Sequence, residues 1–496
     1  MIKDSSGICR RRHLEQATCS IYAISAMKNI CLSAMAIALA AVAPASLFAT
    51  ESADSTSRYL RDPVPGQWLY TTDHTQPSPT SDRWWTQFAD STLNSLITKA
   101  ENENFNVAAA LKRIELARHD LDITRAGYWP GISASGGWSR NGSAGATAPR
   151  VKPSSSSSAF SLGLDMNWEI DVFGRIAAQS KADKAAIAVS RADYDAVMVS
   201  LCAEVASTYM QLRVFQRQYQ VALDHIASQE KILKITEARF EAGIGDMLEV
   251  TQAKIVLYST QSTLPLLEAQ IRSAANSLAV LTGQYPAALA PRLLSPAPIP
   301  REAGIPAVGI PADLLRRRPD IVEAEMQLAR YAALVGVAKK DFLPTLSLSG
   351  SIATEANNIK NIFGAHSLSY SISPTLSWTV FDGLARNYRT AEARLDLEQA
   401  IDNYNITVLN SVEEVENSLS DYYAAVEQFK ILTNLTEESR NSLELSLDLY
   451  KQGLTAFSNV VDAQQNYLEY QNQLVVSKGK RLTSLISLYK ALGGGF

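Results

Sequence analysis

Histidine and cysteine carry much of the metal-binding and nucleophilic chemistry of proteins, and this chain has few of either. Its 496 residues include five His and four Cys. The H-E-x-x-H, G-x-S-x-G, Walker A and C-x-x-C motifs are absent from the sequence. The histidines that follow the N-terminal segment are far apart: His74, His119, His225 and His366. The sequence therefore predicts a protein that is not an enzyme, with no cofactor and no metal site.

The composition is that of an ordered protein without a basic surface. Hydrophobic residues make up 46% of the chain, charged residues 19%, and the net charge is −4, so we expect neither disorder nor nucleic-acid binding. An apolar run at 30–42, followed by small residues, is typical of a secretory signal peptide. We predict a signal segment over 1–49, with Met27 as an alternative start. Its removal leaves Cys202 as the single cysteine, so no internal disulfide is expected.

An internal duplication with an offset of 210 residues is the most informative feature of the sequence. Residues 160–171 (FSLGLDMNWEID) alternate strictly between apolar and polar side chains, and residues 370–380 (YSISPTLSWTV) do the same. This alternation predicts strands with one apolar and one polar face. Another strand is predicted before each of these, after Pro130 and Pro344. A flexible loop rich in Ser, Pro and Gly is predicted over 142–158.

Two helices are predicted after each pair of strands, the first of them spanning about 174–241 and 384–451, or roughly 100 Å at 1.5 Å per residue. Their apolar residues follow the three-and-four spacing of a coiled-coil seam. The seam of the first copy is Tyr194, Met198, Cys202, Val205, Tyr209, Leu212 and Tyr219. The seam of the second copy is Tyr404, Val408, Val412, Val415, Leu419, Tyr422 and Phe429. We expect these seams to face neighbours rather than a monomer core, and we expect left-handed caps at Gly243 and Gly453.

The strands are long enough to cross a membrane, because twelve residues tilted by about 40° rise about 30 Å. Four strands cannot close a barrel, and an open sheet edge is not tolerated in lipid. Two chains would supply eight strands and little interior space, whereas three would supply twelve and an aqueous lumen. We predict a mixed α and β membrane protein with a 12-stranded trimeric barrel, to which each chain gives four transmembrane strands, continued by a long α-helical coiled-coil tunnel. The alternative, a soluble coiled coil with unrelated β-hairpins, does not explain the length and alternation of the strands.

The predicted domain organisation follows the repeat. It consists of the signal segment, N-terminal and first helices over 50–126, a first repeat over 127–281, a Pro-rich crossover over 282–318, a second repeat over 319–491, and a short tail over 492–496.

Several short motifs, taken in order, resemble the TolC-like outer-membrane factor family and its efflux branch in particular. They are WWTQF at 84–88, AGYWP at 126–130, WEIDVFG at 168–174, RFEAG at 239–243, LLRRRPDI at 314–321, WTVFDG at 378–383 and LYKQGLTAFSNVVDAQ at 449–464. Each motif is weak alone, but their order and the 210-residue offset make the resemblance strong.

The resemblance implies a homotrimer in the bacterial outer membrane, in contact with its lipid and extended into the periplasm by a helical tunnel. It also implies a periplasmic adaptor protein and an inner-membrane efflux pump as partners. The expected function is passive conduction of drugs or other small molecules out of the cell. The alternatives are the outer-membrane channel of a type I protein secretion system and a metal-ion efflux channel. No Cys lies at the end of the signal segment, so the lipid anchor of many efflux members is not expected.

The family closes its tunnel at the periplasmic tip, near the two predicted turns. The resemblance implies that Asp462, nine residues after Gly453, contributes to an aspartate ring around the pore, and that Tyr450 helps to hold the closed state. The simpler interpretations are a solvated helix face for Asp462 and coiled-coil packing for Tyr450.

The tip departs from the family pattern at two positions. The arginine expected beside the tyrosine is Leu449, and the leucine expected at 458 is Ser458. Arg239 occupies the equivalent place in the first copy, which makes it the third gate candidate. We therefore expect a tip contact that is weaker than in the family or built differently.

Overall fold

The computed structural model describes residues 68, 83–143, 155–301, 317–364 and 366–494. The predicted signal segment, His74 and the first three residues of the motif at 314–321 lie outside the described residues. The elements, in chain order, are α1 (Ser91–Glu103), α2 (Phe105–Ala126), β1 (Gly131–Ser143), β2 (Ser155–Ile170), α3 (Arg175–Glu241), α4 (Met247–Leu281), α5 (Pro286–Leu293), α6 (Pro319–Lys340), β3 (Thr345–Ala356), β4 (Leu368–Ser377), α7 (Ala385–Lys451) and α8 (Phe457–Ala491). Short 3₁₀ helices cover Trp84–Phe88 and Ile359–Asn361.

The long helices match in pairs. Helices α3 and α7 each have 67 residues, helices α4 and α8 each have 35, and both pairs begin and end 210 positions apart. The predicted long helices are confirmed to within one residue. Helices α2 and α6 also match, with 22 residues each. A first unit equivalent to the second would therefore begin with α2 at Phe105 rather than at 127.

The four strands form one antiparallel sheet in the order β1-β2-β3-β4. The ladder between β1 and β2 continues to Gly142 opposite Ser156 and Ser143 opposite Ser155. The prediction of a flexible loop over all of 142–158 is therefore wrong at both ends. Serine and glycine suit loops by composition, but neither prevents the backbone pairing that extends these strands.

The register of the sheet places apolar and polar residues on opposite faces. Cross-strand partners lie on the same face. One apolar row crosses all four strands through Ala134, Leu164, Ile352 and Tyr370. The neighbouring polar row runs through Ser133, Asp165, Ser351 and Ser371. The large residues of the apolar face, such as Ile132, Leu164, Ile352 and Tyr370, are exposed in the single chain. The predicted alternation is confirmed, and it gives the sheet one apolar face and one hydroxyl-rich face.

The sheet is joined to the helices by a matched pair of contacts. The indole Nε1 of Trp168 donates to the carbonyl of Tyr128, and that of Trp378 donates to the carbonyl of Phe342, both at 3.0 Å. The two tryptophans are 210 residues apart. Each links the C-terminal end of the second strand of a pair, β2 or β4, to the residues just before the first strand, β1 or β3.

The helices around α3 enclose a substantial core within one chain. Trp84 stacks on Tyr489 with ring centroids 5.0 Å apart. The seam residues of the first copy that are buried in this core are Met198, Cys202, Val205, Tyr209 and Leu212. The prediction that the seams lack a monomer core is therefore wrong for this part of the molecule. The physical reason is that α1 and the aromatic 3₁₀ helix before it cover the seam. The sequence pattern of α3 alone does not reveal this cover.

Among the helices that the structure describes, none combines the length and the hydropathy needed to cross a lipid bilayer.

Candidate functional site

The site is formed where two helix–turn–helix tips meet, α3 with α4 and α7 with α8. Both turns have the same backbone. Gly243 has φ +71° and Gly453 has φ +74°, so each is in the left-handed region where a side chain is strained. The amides of these glycines donate to the carbonyls of Phe240 and Tyr450, both at 2.9 Å. The predicted left-handed caps are confirmed, and they reverse the chain within five residues.

Tyr450 lies at the centre of the contact between the two tips. Its side chain is buried, with 2% of the residue exposed. The hydroxyl donates to Oε2 of Glu249 at 2.7 Å, and the guanidinium of Arg239 lies 4.7 Å from the ring centroid. The ring of Phe457 also packs against Tyr450, with ring centroids 5.2 Å apart. One aromatic side chain from the second copy is thus held by an acid and a cation from the first.

The electrostatics of this contact keep the hydroxyl protonated. Burial, followed by the neighbouring carboxylate of Glu249, raises the pKa of Tyr450, and Arg239 only partly opposes this shift. At neutral pH the phenol therefore remains a hydrogen-bond donor to a charged acceptor, which is among the stronger types of hydrogen bond. The Nε atom of Arg239 is buried and makes no hydrogen bond among the described residues. Its stabilisation of the tip comes from the cation–π contact with the tyrosine ring.

The structure brings together two of the three predicted gate residues. Arg239 and Tyr450 are in contact, whereas Asp462 lies further along α8 with an exposed side chain. Within the described part of one chain, the Asp462 carboxylate has no hydrogen bond or ion pair. Its neighbour Ala463 and the residue Val460 are buried in the same apolar cluster as Tyr450. Asp462 therefore lies on the exposed face of α8, next to residues of the same helix that are buried in this cluster.

Glu249 is the residue that the sequence analysis missed. It is the third residue of α4, and Asp246 caps this helix by accepting from the Leu248 amide at 3.4 Å. An Asp followed three positions later by Glu is the ordinary signal of a helix start. That signal suggests a capping role for Glu249. In the structure its carboxylate instead accepts a hydrogen bond from the hydroxyl of Tyr450, 201 positions away. Only the tertiary arrangement of the two tips reveals this partner.

The departure at Leu449 is explained by the same geometry. Leu449, where the arginine was expected, is exposed, and Arg239 of the first copy supplies the cation beside Tyr450 instead. The contact is built differently from the expected pattern, with its charges on α3 and α4. No group of three or more His, Cys, Asp or Glu side chains that could hold a metal ion occurs among the described residues.

The structure thus combines a two-faced antiparallel sheet, of the kind that suits a membrane β-barrel, with two helix pairs whose longer helices are about 100 Å long. The chain belongs to the outer membrane efflux protein family, whose model matches residues 96–284 and 310–494. This confirms the family resemblance seen in the sequence. The protein is located in the bacterial outer membrane and extends into the periplasm.

Three relatives illustrate the range of the family. The pyoverdine export outer membrane protein OpmQ of Pseudomonas aeruginosa is 29% identical over 441 residues, which cover 87% of this chain and 91% of the relative. The cation efflux system protein CusC of Escherichia coli K12 is 26% identical, covering 83% of this chain and 88% of the relative. The solved structure of the outer-membrane channel OprN matches with a TM-score of 0.79 and 31% identity, covering 88% of this chain and 98% of that one. The family and these neighbours are transport channels.

Proposed function

We propose that three copies of this chain form a 12-stranded barrel that is continued by a helical tunnel, and that the assembly passively conducts small molecules out of the cell. In this proposal the channel works in a tripartite efflux system, receiving its cargo from a periplasmic adaptor and an inner-membrane pump. Outer-membrane lipid surrounds the barrel.

The observation that carries the proposal is the two-faced sheet with two open edges. Within the described residues, β1 and β4 each pair with one strand only. An unpaired edge leaves backbone groups unsatisfied in lipid, so each edge needs a partner from another chain. The exposed apolar face suits lipid, and the hydroxyl-rich face suits an aqueous lumen. Pairing of β4 with β1 of the next chain around a three-fold axis satisfies both requirements.

The matched helices support the tunnel. Equal lengths and a constant offset are expected if the chain arose by duplication of one unit, and two such units per chain would give six quasi-equivalent positions in a trimer. The tip contact around Tyr450 lies at the far end of these helices. We propose that this contact holds the tunnel closed and that Asp462 contributes to a ring of negative charge that attracts cations.

The cargo is proposed from chemistry and similarity together. OpmQ is a pyoverdine export protein, which supports export of small organic molecules. The similarity to CusC, a cation efflux protein, makes metal ions the second candidate. Comparing a deletion strain with a complemented strain separates the two. Loss of growth on amphipathic drugs supports the first proposal, and loss of growth on transition-metal salts alone supports the second.

The assembly is tested by disulfide crosslinking between strand edges. Ser133→Cys in β1 is combined in turn with Ser369→Cys, Ser371→Cys and Ser373→Cys in β4, all on the polar face. Under mild oxidation, we expect covalent dimers and trimers from at least one pair. Ser161→Cys with Glu355→Cys is the matched control, because these residues face each other within one chain in β2 and β3. If the control pair crosslinks while every edge pair leaves only monomers, the shared barrel is contradicted.

A further inference from the structure

A groove of about 600 Å³ lies between α3, α8 and the Pro-rich segment that follows α5. Pockets of this size commonly hold small ligands. Its cationic side chains are Arg217 from α3 and Lys478 from α8. Its lining contains no acidic residue among the described residues. The groove is separate from the tip contact, and nothing in the tip mechanism uses it.

The cations of the groove lack anionic partners. Neither Arg217 nor Lys478 forms an ion pair or hydrogen bond within the part of the chain that the structure describes. Partial burial and the charges of Arg481 and Arg217 lower the pKa of Lys478. Asp224 is held by the amide of Gln220 at 3.1 Å and does not line the groove. Among the described residues, the lining therefore carries positive charge and no negative charge, which favours a bound anion.

The wall of the groove is fixed by buried hydrogen bonds. The amide of Gln216 donates to the carbonyls of Leu293 at 2.7 Å and Ser295 at 3.3 Å. Arg213 donates to the same Ser295 carbonyl at 3.2 Å and to the Gln216 side chain at 2.6 Å. These contacts hold the start of the Pro-rich segment against α3, so the groove is formed before any ligand binds. Preorganisation of this kind lowers the entropic cost of binding.

The remaining lining is apolar and includes an aromatic ring. Pro296, Pro298, Leu474 and Phe429 contribute this surface. The guanidinium of Arg481 lies 4.3 Å from the Phe429 ring centroid, which places a third cation at the edge of the apolar wall. The groove thus offers a flat hydrophobic surface next to a cluster of positive charges.

We propose that this groove binds amphipathic organic anions, in which a carboxylate or sulfonate meets Lys478 and Arg217 while an apolar or aromatic body rests on Phe429 and the prolines. The Pro-rich crossover is then a binding element as well as a connection between the two halves of the chain. The proposal goes beyond conduction and does not depend on the cargo or on how the tip opens.

The test uses 2-naphthoate as the probe and its neutral analogue 2-naphthamide as the control ligand. Binding to the purified full-length protein in nanodiscs of zwitterionic lipid is measured by isothermal titration. We expect naphthoate to bind about tenfold more tightly than naphthamide, the ratio expected for one charge-assisted contact. Lys478→Gln is expected to weaken naphthoate binding about tenfold, and Arg217→Gln about threefold.

Lys480→Gln is the matched control, because Lys480 is exposed on the same helix and outside the groove. It should leave the affinity unchanged. Arg217 is exposed, so its substitution tests the site even if the change at Lys478 disturbs folding. Equal affinity for naphthoate and naphthamide would overturn the proposal. Unchanged naphthoate binding both in the Arg217→Gln variant and in the variant that combines Arg217→Gln with Lys478→Gln would also overturn the proposal.

Discussion

The turn between α3 and α4 and the turn between α7 and α8 share one backbone but differ in what their side chains do. Each has a left-handed glycine with the same pattern of cap hydrogen bonds. At the position of the buried Tyr450, the first turn has Phe240, which is 45% exposed. At the positions of Arg239 and Glu249, the second turn has Leu449 and Asn459.

This difference shows how two similar units can form one asymmetric contact. The first turn supplies a cation and an acid, and the second supplies the tyrosine that lies between them. Neither turn could make the contact with a second copy of itself, because each lacks the other's chemistry. The backbone is common to both turns, whereas the proposed closure depends on the side chains that have diverged.

Among the changes that test this difference between the two turns, removal of the Tyr450 ring should have the largest effect on conductance. Tyr450→Ala deletes a buried aromatic side chain, a change that typically costs about 3 kcal/mol or more. We expect the tip to open and the conductance in planar bilayers to rise several-fold. Phe240→Ala is the control at the corresponding exposed position and should leave the conductance near that of the wild type. Equal effects of the two substitutions would show that the turns do not differ in function.

Asp462 provides a second comparison between the copies, because Gln252 occupies the corresponding position on α4. Asp462→Ala removes an exposed negative charge. If the proposed ring exists, cation selectivity measured by reversal potentials should fall, because the negative charge that attracts cations is lost. Gln252→Ala should leave the selectivity unchanged. Unaltered selectivity in the Asp462→Ala variant would remove this residue from the gate.

The helix caps should give the smallest effect. Asp246 caps α4 through its side chain, whereas Ala456 begins α8 without a side-chain cap. Asp246→Ala should destabilise the first turn of α4 by about 0.5–1 kcal/mol, and Ala456→Asp should stabilise α8 by a similar amount. Hydrogen exchange of the first-turn amides measures both changes. Opposite shifts in the two helices are expected, and shifts of the same sign would contradict the assigned caps.

Much of the fold could be predicted from the sequence because its periodicities are long and are repeated. Strict alternation in the strands and three-and-four spacing in the helices identify the element type. Because the pattern recurs 210 residues later, each assignment can be checked in both copies. The extension of β1 and β2 to Ser143 and Ser155 was missed, because serine-rich composition does not report backbone pairing. The core around Trp84 and Tyr489 was also missed, because it joins residues that are about 400 positions apart.

The candidate site was predictable only in part, for a similar reason. Tyr450 and Arg239 could be identified from a family resemblance and from the correspondence between the copies. Glu249 could not, because its local sequence already has a sufficient explanation as the start of a helix. Its role depends on the approach of α4 to the end of α7, which is set by tertiary packing.

The most direct test of the proposed closure is a double-mutant cycle on the hydrogen bond between Tyr450 and Glu249. Single-channel conductance is recorded for the wild type, Tyr450→Phe, Glu249→Ala and the double variant, with Asn459→Ala as the matched control in the second turn. Each single change removes the hydrogen bond between the hydroxyl and the charged acceptor, worth about 1.5 kcal/mol. If this contact holds the tip closed, all three variants should show the same increase in conductance, because the second change has nothing left to break. Additive increases, or conductance equal to that of the wild type in both single variants, would contradict the account.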